Sequence, residues 1–251
     1  MWGTASAAVM PSFETQARRI GTGGVVGTAK SRVGRILPSV GENAIPGDGI
    51  WDNPYEWDPG GDPGFGSLDG RNFWEMKSDD DADDTAVIYQ SNTYGINLAA
   101  LPMMRIKFSL NQLPSLCMWH GFFSDPSHSS STGKNVVATD DPDGDYAGIR
   151  YSTAAPDSTW KFCTSNNDVQ TVADSGVTVV AGAVYFAEIE MEVGAVRFRI
   201  EDATGAVLNE QTVSLTTPRI DIAMIMVHGL STREAVTKWW RIYFQETYMQ
   251  Y

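Results

Sequence analysis

The chain has 251 residues, 42% apolar and 11% aromatic, with 24 glycines and 12 prolines, so a sizeable core is expected and long helices are not. A net charge of −13 excludes nucleic acid as a partner, because phosphate binding needs a basic footprint. Apolar runs such as Val177–Ala187 are strand-sized, which excludes a membrane-spanning helix.

Residues 1–70 read as a long, irregular N-terminal arm, crowded with Gly, Pro and Asp and lacking a sustained period of 2 or 3.6. The first residues carry no basic region ahead of an apolar stretch, so a secretory leader is not expected and cytoplasmic synthesis is. Only Ser12–Ile20 has the pattern of a short helix, with Ser12 as its cap. Charge is segregated along this part. Residues 1–40 carry Arg18, Arg19, Lys30, Arg32 and Arg35 against Glu14, whereas residues 41–84 carry thirteen acids against Arg71 and Lys77. A basic stretch followed by an acidic one suits docking onto complementary protein surfaces; the plainer reading is a solvated surface. Disordered linkers lack aromatic residues, yet Trp51, Tyr55, Trp57 and Phe65 punctuate the acidic stretch. With Trp2 and Phe13, and with the arginines Arg18, Arg19, Arg32 and Arg35, these rings are the expected anchors of the arm, on its own sandwich or on a neighbouring chain.

Residues 71–251 change to strand-sized runs separated by turn chemistry, which predicts an all-β fold: an antiparallel, jelly-roll-like β-sandwich. The expected strands are 72–77, 85–90, 103–110, 116–123, 146–152, 159–164, 169–173, 184–193, 195–201, 207–214, 220–227 and 238–246. In Val196-Arg-Phe-Arg-Ile200 and Met104-Arg-Ile-Lys-Phe108, apolar and basic residues alternate as in strands with one buried face. Asp202-Ala-Thr-Gly205, Ser165-Asn-Asn-Asp168 and Asp141-Pro-Asp-Gly144 are turn signals. No fixed-period repeat occurs, which argues against a propeller or solenoid.

The candidates for chemistry each have a structural alternative. Five aspartates in Asp79–Asp84 offer oxygen ligands for a hard cation, but neighbouring carboxylates repel and a solvated loop is expected. Asp140-Asp-Pro-Asp-Gly-Asp145 resembles the start of a calcium loop. Its twelfth position is Tyr151 or Ser152 rather than the required Glu, so calcium stays open and no cofactor is expected. His120, His128 and His228 lack metal-ligand spacing, and none has a nucleophile placed with it by motif. Ser124–Lys134 is Ser-rich and reads as a loop. Glu188, Glu190 and Glu192 alternate on one strand. They either line a substrate groove, as carboxylates do in some β-sandwich glycosidases and lyases, or form the polar face opposite Ile189, Met191 and Val193. Trp74, Trp119, Trp160, Trp239 and Trp240 are expected mainly in the core; exposed rings would instead stack on sugars. Cys117 and Cys163 could bridge, but two reduced, buried thiols are expected.

Three stretches carry a family resemblance: Tyr146-Ala-Gly-Ile-Arg-Tyr151, Thr159-Trp-Lys-Phe-Cys-Thr164 and Thr171-Val-Ala-Asp-Ser-Gly-Val177. They resemble a pattern of jelly-roll or concanavalin-like sandwiches in tailed-bacteriophage virion proteins: a G-[IV]-R-Y strand, a W-x-[LF]-x-T strand, then a D-[ST]-G-V turn before a long strand. Trp239-Trp-Arg-Ile-Tyr-Phe244 resembles the closing strand, and the likeness spans roughly residues 140–250. It implies a virion structural protein without enzymatic activity, most readily a capsid decoration (cement) protein. Such a protein would form a homo-oligomer, commonly a trimer, and clamp the major capsid protein or other virion proteins with its arm. The alternatives are a carbohydrate-binding or carbohydrate-cleaving tail-fibre or spike module, with a glycan as ligand, and a tail adaptor. No membrane partner is implied.

Overall fold

The computed structural model describes residues 30–36, 55–59, 64–68, 71–78, 80–90, 96–97, 101–124, 132–166, 168–215 and 223–250. They form sixteen strands and one short helix. The strands are β1 (Lys30–Ile36), β2 (Tyr55–Pro59), β3 (Gly64–Leu68), β4 (Arg71–Lys77), β5 (Thr85–Gln90), β6 (Ile96–Asn97), β7 (Met103–Leu110) and β8 (Leu116–Ser124). After the helix α1 (Thr132–Ala138) come β9 (Tyr146–Ser152), β10 (Thr159–Asn166), β11 (Val169–Thr178), β12 (Val184–Glu192), β13 (Ala195–Glu201), β14 (Val207–Ser214), β15 (Ala223–Thr232) and β16 (Trp239–Gln250).

Two antiparallel sheets stack as a sandwich. The first runs β14-β13-β12-β7-β16-β4-β3 and the second β11-β10-β9-β8-β15-β5-β2. The twelve-residue β16 is shared along its length: Trp239–Ile242 pair with β4, and residues 245–250 pair with β1. The alternation read from the sequence sets which side chains face inward. On β7, β12 and β13, Met104, Ile106, Phe108, Ala187, Ile189, Met191, Val196, Phe198 and Ile200 enter the core, while Arg105, Glu188, Arg197 and Arg199 take the other face. From the opposite sheet come Met118, Phe122, Ile149, Phe162, Met226 and Leu230, with Phe162 stacked on Phe198 at 5.0 Å between ring centroids.

A second apolar cluster lies on the outer face of the second sheet. Trp119, Phe123, Tyr146, Ile225 and Val227 pack with Val136 and Val137 of α1. This helix begins in the last three residues of the Ser-rich stretch Ser124–Lys134 read as loop. Val136 and Val137 are the residues that fix it, because they bury against the sheet.

From β7 to β16 each strand falls at an expected position, but β11 runs to Thr178 rather than 173, β15 to Thr232 rather than 227 and β16 to Gln250 rather than 246. Within residues 1–70, read as an irregular arm, the described residues are three short strands. β1 pairs β16, β2 pairs β5 and β3 pairs β4, so three segments of that region complete the chain's own sheets. Arg32 and Arg35 stand in β1, and Tyr55 and Trp57 in β2, opposite Gln90 and Ile88. Trp2, Phe13, Arg18, Arg19, Trp51 and the Ser12–Ile20 helix lie outside the described residues, as does His128. The D-S-G-V segment is not a turn before a strand. It is a bulge within β11, where the register jumps from Thr159↔Thr178 to Lys161↔Asp174. Asp174 stabilises it by accepting from Thr159 Oγ1, Gly176 N and Lys161 Nζ, contacts that hold its carboxyl down at about 2.

Candidate functional site

The outer face of the first sheet carries a network of ion pairs, and its register explains the arrangement. Glu188 on β12 stands between Arg105 of β7 and Arg199 of β13, while Glu190 faces Arg197 and Phe186 lies between Lys107 and Glu201. Acid and base therefore alternate across the strands, Arg105–Glu188–Arg199–Glu210, so that each charge stands beside an opposite one. Arg105 donates to Glu201 at 2.5 Å and lies 3.8 Å from Glu188; Arg199 lies 3.9 Å from Glu188 and 3.6 Å from Glu201. Arg197 binds Glu190 and stands 3.6 Å from Glu192, and Arg199 also binds Glu210 of β14. Burial of the charged form depresses the Arg199 guanidinium, but Glu188, Glu210 and Glu201 outweigh that and raise it above its ordinary value.

One end of this network is covered and the other open. The Glu201 side chain is 2% exposed and Glu188 11%, whereas Glu192 is 42% and Glu210 39% exposed, with Arg197 between them. Aromatic rings on the same face are capped by cations: Arg105 and Lys107 lie 4.6 and 4.4 Å from Phe186, and Arg241 lies 4.4 Å from Phe73 and 4.0 Å from Trp239. The open end thus offers carboxylate acceptors and guanidinium donors, the groups that hydrogen-bond vicinal hydroxyls.

The sequence candidates separate as follows. Glu188, Glu190 and Glu192 do share one face, opposite Ile189 and Met191, but Val193 is 88% exposed beyond the strand end. Trp119, Trp160 and Trp240 are buried, as the core reading predicts. Cys117 and Cys163 are free thiols on β8 and β10, with β9 between them. Burial pushes both up to about 12. A thiol reagent at pH 8 is therefore expected to label neither cysteine until the chain is unfolded. Stoichiometric labelling of the folded chain would contradict the packing.

The acidic loops take structural roles. Asp140 Oδ1 accepts from Arg233 Nη2 at 3.0 Å and from Ser152 Oγ, and its carbonyl accepts from Arg150 Nη1 and Gln170 Nε2. Tyr146 Oη donates to Asp141 at 2.8 Å. Protein donors thus occupy Asp140 Oδ1, the Asp140 carbonyl and Asp141 Oδ1. Asp80, Asp81 and Asp83 are exposed in the turn between β4 and β5. Among the described residues, no group of three or more His, Cys, Asp or Glu side chains could hold a metal ion.

This architecture, two antiparallel sheets with a charged outer face, is a concanavalin-like, jelly-roll sandwich. Residues 119–241 match the family model described as SO2946-like, C-terminal domain. No curated protein matches the chain. Among solved structures, a protein of unknown function, SO2946, from Shewanella oneidensis MR-1 is similar at a TM-score of 0.55 and 12% identity, over 98% of this chain and 96% of that one. Peanut lectin is similar at 0.52 and 10%, over 90% and 98%. A glycoside hydrolase family 16 endo-glucanase from Bacteroides ovatus is similar at 0.53 and 7%, over 80% and 97%. At such identities the likeness establishes the fold. It also corrects the expectation of a chain without enzymatic activity, since an endo-glucanase is built on this sandwich.

Proposed function

We propose that the chain is a carbohydrate-binding sandwich of a virion, of the kind carried on tail fibres or spikes. The observation that carries this reading is the Glu192–Arg197–Glu210 end of the outer-face network. There, solvent-accessible acceptors and a fixed guanidinium alternate on neighbouring strands. The likeness to peanut lectin and to an endo-glucanase supports the glycan part, and the strand motifs on β9 and β10 support the virion part. Because the rings of this face are capped by cations, recognition runs through hydrogen bonds rather than ring stacking. A glycan array with the full chain is expected to give a selective signal, lost at least tenfold in Arg197→Met and reduced in Glu192→Gln. An empty array would overturn the reading, and release of reducing ends from a bound glycan would move it from binding to cleavage.

Capsid decoration is the second reading, favoured by the separation of basic residues 1–40 from acidic residues 41–84. It retains Arg18 and Arg19 as contacts to the major capsid protein. β1, β2 and β3 belong to the chain's own sheets, so the clamping part is confined to the stretches around them. Salt-sensitive co-sedimentation with capsids, abolished by Arg18→Glu with Arg19→Glu, together with an empty glycan array, would select it.

A further inference from the structure

His120 and His228 pair across β8 and β15 on the inner face of the second sheet. Both are 1% exposed, their ring centroids are 4.8 Å apart, and none of the four ring nitrogens has a hydrogen-bond partner. They sit where the sheets meet. Trp240 of β16 lies 4.1 Å from the His228 ring and Phe108 of β7 lies 5.4 Å from it. Trp240 Nε1 also crosses the interface to donate to Ala86 O of β5.

We propose that this histidine pair is a pH-sensitive latch: it joins the two sheets while both imidazoles are neutral, and mild acid releases the sandwich. The surroundings make it so. Around the rings, β8 contributes Met118 and Phe122, β15 Met226 and Leu230, β9 Ile149, β7 Phe108 and β16 Trp240. The backbone of Ile88 of β5 runs beside His228. Arg150, next to Ile149, is on the opposite face with Asp157. Beyond Phe108 lie Trp160 and the phenols of Tyr151 and Tyr185, which are neutral in acid. A proton on either ring would therefore find no counter-charge and no acceptor, and a second would add repulsion.

Burial lowers His120 to about 3, and burial together with His120 lowers His228 well below its ordinary value. The sign follows. In the unfolded chain both rings titrate near 6.5, so below that pH the unfolded state binds protons that the folded state refuses. Stability is full above pH 6.5 and falls as the pH drops toward the folded values. Each histidine lowers the folding constant by up to about tenfold per pH unit, and the pair by up to about 100-fold.

The test uses the full chain carrying His128→Gln, so that only the pair titrates as imidazole. Urea unfolding at constant ionic strength is followed from pH 8 to 4.5. Between pH 6.5 and 5, the folding constant is expected to fall much more steeply than in the same chain with His120→Phe and His228→Phe. Where the larger rings do not fit, His120→Leu and His228→Leu replace them. Equal slopes would overturn the proposal, as would imidazole resonances of the folded chain that titrate near 6.5. The resonances decide even if both double variants fail to fold.

Discussion

Replacing Arg150 with methionine is expected to cost the chain about 3–5 kcal/mol, the loss seen when one partner of a buried ion pair is removed. The side chains of Arg150 and Asp157 are only 6% and 3% exposed, so neither relies on water. Arg150 Nε reaches Asp157 Oδ2 at 3.1 Å, Nη2 reaches Oδ1 at 3.3 Å and Nη1 reaches the Asp140 carbonyl at 2.5 Å. The guanidinium also lies 5.7 Å from the Trp119 ring. Without it, Asp157 keeps only Ser152 N among these donors, and Asp140 loses a tie that anchors its loop to β9. Denaturant unfolding at pH 7 checks the loss. Adding Asp157→Asn to Arg150→Met should return part of it, because the orphaned charge is what costs most. A loss under about 1 kcal/mol would mean that the pair behaves as a surface bridge.

The second large effect is expected at Gly121. A Cβ there would lie 2.5 Å from the Ala147 carbonyl and 2.7 Å from Gly148 Cα, both backbone atoms of β9. Overpacking costs about 1–3 kcal/mol when side chains can move aside, and here strands β8 and β9 would have to part. Gly121→Ala should therefore lose at least about 3 kcal/mol, the top of that range, or fail to fold. Gly229→Ala should behave alike, with its Cβ 2.6 Å from the Ala86 carbonyl. Gly176 gives the contrast. Nothing lies within 4 Å of its Cβ, but its φ is +67°, so alanine there meets only backbone strain of about 1–2 kcal/mol. Thermal unfolding of the three variants ranks them; a Gly121→Ala chain as stable as Gly176→Ala would refute the close approach of β8 and β9.

Much of the sandwich was legible because period-two alternation is a local signal. Val196-Arg-Phe-Arg-Ile200 and Met104-Arg-Ile-Lys-Phe108 each declare which face is buried, and both were placed correctly. The strands β1, β2 and β3 were hidden. They are short and glycine- or proline-flanked, and their partners lie up to 220 positions away, as in Lys30↔Gln250, so pairing rather than pattern defines them. The glutamate row on β12 could be seen as a row. That each acid would meet an arginine depended on the register with β7 and β13, which no single strand encodes. The histidines were equally opaque: His120 and His228 are 108 positions apart, and only the β8–β15 pairing brings their rings together. Asp140 looked like a cation ligand because its neighbours are acidic, while its actual partner Arg233 comes from far along the chain.

The positions of β15 and β16 bear on how the chain is made. Each lies in the interior of its sheet, β15 between β8 and β5 and β16 between β7 and β4. Strands synthesised early sit on one side of them, and strands synthesised later on the other. Until residues 223–250 leave the ribosome, each sheet is therefore two separate pieces with exposed inner edges. Vectorial synthesis cannot complete the domain stepwise. The nascent chain must keep β4, β5, β7 and β8 from pairing wrongly until the last strands insert, which favours slow, late folding and dependence on chaperones that shield open edges.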